Sequence, residues 1–223
     1  MMTNLFSVFD PSSSMGLSMN WVSLILGMFL IPFSKWVINS RWVIMSELLV
    51  MKLYSEMKVL FSSSSKMVAV IFKKALFLFI MFNNILGLTP YVYTATSHLV
   101  ITLSLALPLW LGYFSFGWVM NCKWMLAHLM PQGTPGLLMP FMVIIESVSS
   151  LIRPGTLAVR LMANMIAGHL LLVLVSSSVM GLSALMFWGI ILTQILLVVL
   201  EVAVAIIQSY VLVILSVLYS SEV

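Results

Sequence analysis

Charge is scarce in this chain. Only 7 % of its 223 residues are Asp, Glu, Lys or Arg, against about a quarter in soluble domains, which excludes a water-facing globular enzyme. A single cysteine, Cys122, excludes both a disulfide framework and a thiolate metal site. Residues 1–16 contain no Lys or Arg, so neither the charged start of a signal peptide nor an Arg-rich transit peptide is expected there. The net charge of +4 rests on no soluble basic cluster, so nucleic acid is not an expected partner. What the chain does contain is apolar: 62 % of residues are hydrophobic, and they fall in long runs. The expected class is an all-α integral membrane protein, one membrane domain over 1–223.

Taken in order, 20–37 reads as a first span with Trp21 and Trp36 as interfacial anchors. Residues 39–60 differ. At 100° per residue, Arg41, Glu47, Lys52, Glu56 and Lys58 share one half of the wheel. Trp42, Leu49, Val50, Leu53, Met57 and Leu60 share the other, which predicts an amphipathic helix lying in the interface. After a loop at 62–65, 67–88 is a second span whose Lys73 and Lys74 are expected to snorkel to the headgroups. Residues 97–118 form a third span, and 121–135, with Pro131, Gly133 and Pro135, a turn-rich connection. Two long apolar runs follow, 137–175 and 182–218, each nearly twice the ~20 residues that cross a bilayer. They are expected as two long, tilted helices paired as a hairpin about 176–181. Pro154-Gly155 offers a kink in the first, whereas the second contains no proline.

Seven of the ten Lys/Arg lie between Lys35 and Lys74, and Lys123 lies in the 121–135 connection. The N-terminus and the 89–97 and 176–181 loops have none. By the positive-inside rule this predicts five crossings, with the N-terminus outside and the C-terminus inside.

Within the long runs stand the groups that lipid tolerates least. A charge at the bilayer centre costs at least ~2.5–3.5 kcal/mol on insertion scales. Glu146, Arg153 and Arg160 are spaced by seven, each rotated by only about −20° from the last, and Asn164 extends the stripe by a turn. His169 falls about 180° from Arg160 and ~13.5 Å further along. Gln194, Glu201 and Gln208 repeat the spacing of seven on the last run. A guanidinium does not give up its proton, so Arg160 can act only as a fixed positive charge. Glu146 is ~21 Å from it along a straight helix, and the missing anion is expected from another subunit. Glu146, His169 and Glu201 can exchange protons. Protonatable groups on either side of a fixed cation suggest two half-channels separated by an electrostatic barrier. Arg153, beside a Pro-Gly break, suits a structural ion pair equally well. Asn164, Gln194 and Gln208 equally suit interhelical hydrogen bonds. His98 and His128 are expected to be solvated loop residues. A haem protein would need paired intramembrane histidines, and only His169 lies in a span. An antiporter-like transporter would show repeat symmetry and broken midplane helices, and no convincing repeat is present.

Asn83-Asn-Ile-Leu-Gly-Leu-Thr-Pro90, Ser104-Leu-Ala-Leu-Pro108, Leu157-Ala-Val-Arg-Leu-Met-Ala-Asn-Met-Ile-Ala-Gly-His169, and Glu201 with Gln208 together closely resemble subunit a of the rotary F-type ATP synthase. The resemblance extends over essentially the whole chain and is to the mitochondrially encoded form of invertebrates, arthropods in particular. It implies a multi-pass protein of the mitochondrial inner membrane, without cofactor or bond chemistry of its own. The implied partners are the ring of c subunits and the other Fo and peripheral-stalk subunits. In that family the arginine matching Arg160 is the stator charge facing the ring, and Asn164 and Gln208 match polar residues around it. The resemblance implies proton access past His169 and Glu201 and release past Glu146 to the matrix. Bacterial relatives carry Glu at the place of His169 and His at that of Glu201. The exchange of the pair implies that the two are close. Arg153 is not required by the family.

Overall fold

A computed structural model describes residues 5–12, 18–32, 40–60, 67–130, 135–178 and 184–222. Every regular element among them is helical, as lipid demands: with no water to hydrogen-bond a bare strand edge, the backbone must satisfy itself locally. The helices are α1 (Val22–Phe29), α2 (Arg41–Leu60), α3 (Met67–Gly87), α4 (Leu99–Met120), α5 (Cys122–His128), α6 (Met139–Ser177) and α7 (Ala184–Glu222). Short 3-10 turns lie at Leu5–Phe9, Met19–Trp21, Ala95–Ser97 and Gly136–Leu138.

Four helices, α3, α4, α6 and α7, are long and apolar enough to cross a membrane. Among the described residues, α1 is shorter than the span expected over 20–37. It stops at Phe29, with a turn and bend at Leu30 and Ile31, because Pro32 disfavours the helical conformation of the residue before it. Trp36 and Lys35 lie outside the described residues, as does the loop at 62–65. α6 and α7 are each continuous over 39 residues, about 58 Å, so neither long run divides into two spans. Pro154 sits buried inside α6 without ending it, since neighbouring helices can re-satisfy the freed carbonyl of a membrane helix. The 121–135 connection is more ordered than expected: α5 occupies its first half.

α3 is the central helix. Phe77, Ile80, Met81 and Phe82 are buried with Leu212, Val213 and Val217 of α7 and Leu53 and Met57 of α2. α4 packs along α6, and α6 in turn along α7. α2 rests on this core through Val50, Leu53 and Met57. Tyr210 of α7 donates a 2.6 Å hydrogen bond to Glu56 Oε2 on its polar side. Trp42 and Leu49, from the expected apolar half, stay exposed. Lys73 corrects the snorkelling expectation. It is 1 % exposed, donates to the Ser220 hydroxyl and lies 5.3 Å from the centroid of the Tyr113 ring. Its stem points into the bundle, where a hydroxyl and an aromatic face replace the headgroups. Lys74, one residue on, is exposed.

α1 meets α3 where Gly27 faces Asn83. A Cβ on Gly27 would stand 2.7 Å from Asn83 Cγ, while Asn83 Nδ2 is held by the Phe79 carbonyl at 2.9 Å. The amide cannot move away without losing that bond. Gly27→Ala is therefore expected to lower stability by about 1–3 kcal/mol through overpacking, with much of the loss recovered in Gly27→Ala/Asn83→Ala. Unfolding of the detergent-solubilised protein across this double-mutant cycle measures the coupling.

Candidate functional site

Polar side chains of α6 and α7 stand in two separate cavities, one against the middle of α7 and one near its C-terminal end. The first, about 190 Å³, is lined by Asn84 of α3, by Asn164, Gly168 and their neighbours over 161–171 of α6, and by Glu201, Gln208 and their neighbours over 197–208 of α7. The second, about 170 Å³, lies between α4, α5, α6 and the end of α7. Its polar lining includes His128, Glu146, Ser147, Ser150, Arg153 and Tyr219. The linings pair low numbers on α6 with high numbers on α7, so the two helices run antiparallel where they meet.

In the first cavity Glu201 is buried, and neither carboxylate oxygen has a hydrogen-bond partner among the described residues. Space for this carboxylate comes from Gly168. A Cβ there would stand 2.8 Å from Glu201 Cδ and Oε1, so the carboxylate lies directly on the α6 backbone. Asn84 is 1 % exposed and its Oδ1 is likewise unpartnered. Asn164 and Gln208 are half-buried and share this lining. Buried polar atoms that lack protein partners are what a cavity needs in order to hold water.

His169 is beside this cavity but not in its lining. Its ring faces the backbone of Gly87 at the end of α3 and meets the Phe9 ring edge-on at 6.4 Å. Its Nε2 is buried without a partner. Glu201 thus packs on the residue before His169, and no hydrogen bond joins it to His169. Gln194 lines neither cavity.

In the second cavity Arg153 Nη2 pairs with Glu146 Oε1 at 3.3 Å, along the spacing of seven. Arg153 also lies 5.8 Å from the Tyr219 ring centroid. Of the two roles open to Arg153, an ion pair is what the geometry shows. His128 is exposed and stacks on Trp124 at 5.4 Å, one helical turn away on α5. His98 departs from the solvated expectation. It is partly buried, 5.3 Å from Trp21, against the Tyr93 hydroxyl and 3.0 Å from the Phe9 carbonyl. Desolvation and the Asp10 carboxylate push the Tyr93 hydroxyl up to about 12.

Arg160 lies on α6 between the two linings and belongs to neither. It is exposed, and no carboxylate pairs with it among the described residues. Asn84 and Gly168 are the residues that sequence reasoning quoted without assigning a role. A helical Gly adjoining a titratable residue was the available signal for Gly168. For Asn84 the signal was a second amide in an otherwise apolar α3.

Residues 16–221 match the family model described as ATP synthase A chain. The chain belongs to this family. It is 54 % identical over 223 residues to ATP synthase subunit a of Drosophila simulans and 55 % over 225 to that of Anopheles gambiae. That of Aedes aegypti is 53 % identical over 225. In each case the match covers 100 % of both chains. The ATP synthase A chain family and the apolar helices together mark a multi-pass membrane protein concerned with proton transport and ATP synthesis.

Gly168→Ala is expected to displace the Glu201 carboxylate and reduce ATP-driven proton pumping by the assembled complex by about a hundredfold, the scale of a 1 Å misplacement. Gly112→Ala, where a Cβ meets nothing within 4 Å, should leave pumping unchanged. Fluorescence-quench pumping assays on vesicles, normalised to assembled complex, compare the two.

Proposed function

We propose that this chain is the stator subunit of a rotary proton-translocating ATP synthase in the mitochondrial inner membrane, carrying two offset half-channels to a ring of c-subunit carboxylates. The observation that carries this reading is the position of Arg160 on α6 between the linings of two separate cavities that each hold titratable side chains, on an exposed face and without a carboxylate partner among the described residues.

Protons reach the first cavity past His169 and Glu201, with Asn84, Asn164 and Gln208 orienting water along it. They neutralise a ring carboxylate, and a neutral site can rotate into lipid where a charged one cannot. After nearly a full turn that site faces the second cavity and gives its proton to the Glu146 side, where Arg153 holds the Glu146 carboxylate in place. Arg160 attracts the bare ring carboxylate and repels protons, so the cavities do not connect directly. Its guanidinium stays charged in any surroundings the membrane offers, which an ammonium does not. Each charge crossing the membrane potential supplies ~2.3 kcal/mol per 100 mV, delivered as torque. The subunit makes and breaks no covalent bond and needs no cofactor.

The topology in this proposal has five crossings. α1 belongs to the first, and α2 lies at the inner interface. α6 and α7 form a tilted hairpin, because about 58 Å of helix exceeds a ~30 Å hydrocarbon core. The N-terminus faces the intermembrane space and the C-terminus the matrix. Peripheral-stalk and other Fo subunits cover the remaining apolar faces.

Arg160→Gln is expected to abolish ATP-driven proton pumping in vesicles while the assembled complex still hydrolyses ATP. Arg160→Lys should also fail to restore it. Pumping by Arg160→Gln at the normal level would reduce Arg160 to a structural charge and remove the basis of the proposal.

A further inference from the structure

The N-terminal turn Leu5–Phe9 is distant in sequence from every group discussed above, yet it sits against His169. Its placement depends on one residue. The Phe9 carbonyl accepts a 3.3 Å hydrogen bond from the Tyr93 hydroxyl and lies 3.0 Å from His98 Nε2, both from the connection between α3 and α4. A carbonyl oxygen only accepts, so this contact is a hydrogen bond in the tautomer that carries its proton on Nε2. The Tyr93 hydroxyl, with its pKa pushed up to about 12, keeps its proton as well. Trp21, at the start of α1, closes on the pair from the other side, 5.3 Å from His98 and 6.1 Å from Tyr93 between ring centroids. The next carbonyl is held as well, since Asn20 Nδ2 donates to the Asp10 carbonyl at 3.3 Å. Ser12 N donates to Asp10 Oδ1 at 3.1 Å.

With the backbone of Phe9 held in this way, its ring projects to His169 and meets the imidazole edge-on. On its other side His169 has the backbone of Gly87, and its Nε2 is buried. A phenyl ring has no hydrogen-bonding atom with which to pass a proton. Where it lies against the imidazole it excludes water and restricts the directions the ring can take.

We infer that Leu5–Asp10 is a strap lying over His169 beside the first cavity, with Phe9 as a positioning residue for His169 and Tyr93 with His98 as its latch. The inference rests on the assignment of that cavity to the outer half-channel and adds a cover over His169 that the long helices do not supply. Proton access to His169 from the outer face then passes the Phe9 ring, and its rate depends on how firmly the latch holds.

The test uses the assembled complex in sealed vesicles of each orientation, carrying His169→Cys in a Cys122→Ser background, since Cys122 is free and exposed. A membrane-impermeant thiol reagent is applied from either face and the labelling rate at position 169 is followed. This readout does not depend on activity. Labelling is expected from the outer face, and Phe9→Ala should accelerate it about five- to thirtyfold, the factor set by losing one or two contacts of ordinary strength. His98→Gln and Tyr93→Phe, which loosen the latch and keep the phenyl ring, should each accelerate it by about fivefold. Outer-face labelling at equal rates with and without Phe9→Ala, or with the latch variants, overturns the strap and leaves the outer half-channel standing. Labelling only from the inner face overturns the half-channel assignment itself, and the strap with it. If Phe9→Ala fails to assemble, the latch variants decide alone.

Discussion

Lipid offers no hydrogen bonds, so each polar atom that α6 and α7 carry into the membrane must be met by another side chain, by trapped water or by a neighbouring subunit. This constraint divides the polar residues into groups with different fates. Glu146 and Arg153 satisfy each other along one helix. Lys73 finds a hydroxyl and an aromatic ring. The serines and threonines turn their hydroxyls back onto carbonyls three residues earlier, as Ser209 and Ser216 do. The Glu201 carboxylate, Asn84 Oδ1 and His169 Nε2 find no partner within the described chain, and Arg160 finds no anion among the described residues.

The packing explains how those groups are kept apart and in order. α3 provides a rigid apolar centre against α7, and α4 does the same along α6. The two functional helices are therefore held along their length, while their other faces stay bare. Leu192, Leu196, Val199 and Leu200 of α7 are exposed, as is Val159, the neighbour of Arg160 in the chain of α6. A moving partner can slide over such a surface, since it carries few directional contacts to break. The hydrogen bond from Tyr210 to Glu56 and the burial of Leu53 and Met57 tie α2 to the same frame, which gives α2 a mechanical role in fixing α7.

Much of the site was legible beforehand because membrane chemistry makes a polar residue conspicuous. Glu146, Arg153, Arg160, Asn164, His169, Glu201 and Gln208 each stand out from an apolar run, and helical arithmetic alone puts several on one stripe. The same arithmetic could not tell that Arg153 takes Glu146 as its partner rather than facing a ring. Nor could it tell that His98 is enclosed, because its enclosure depends on Phe9 and Trp21, remote in sequence. Lys73 was misread for a similar reason. A lysine one turn from a helix end usually reaches water, and only the placement of Ser220 and Tyr113 turns it inward.

The amino-acid order by itself determined that the chain is helical, that it lives in a bilayer, and which of its residues carry charge or a transferable proton. These follow from local periodicity and from the cost of burying charge, neither of which needs a partner. Tertiary structure decided which polar groups share a cavity and which remain alone. It decided that Gly168 makes room for Glu201, that Asn84 joins them, and that the N-terminal turn reaches His169. Those facts depend on distances between segments far apart in the chain, and such distances are fixed only when the helices pack.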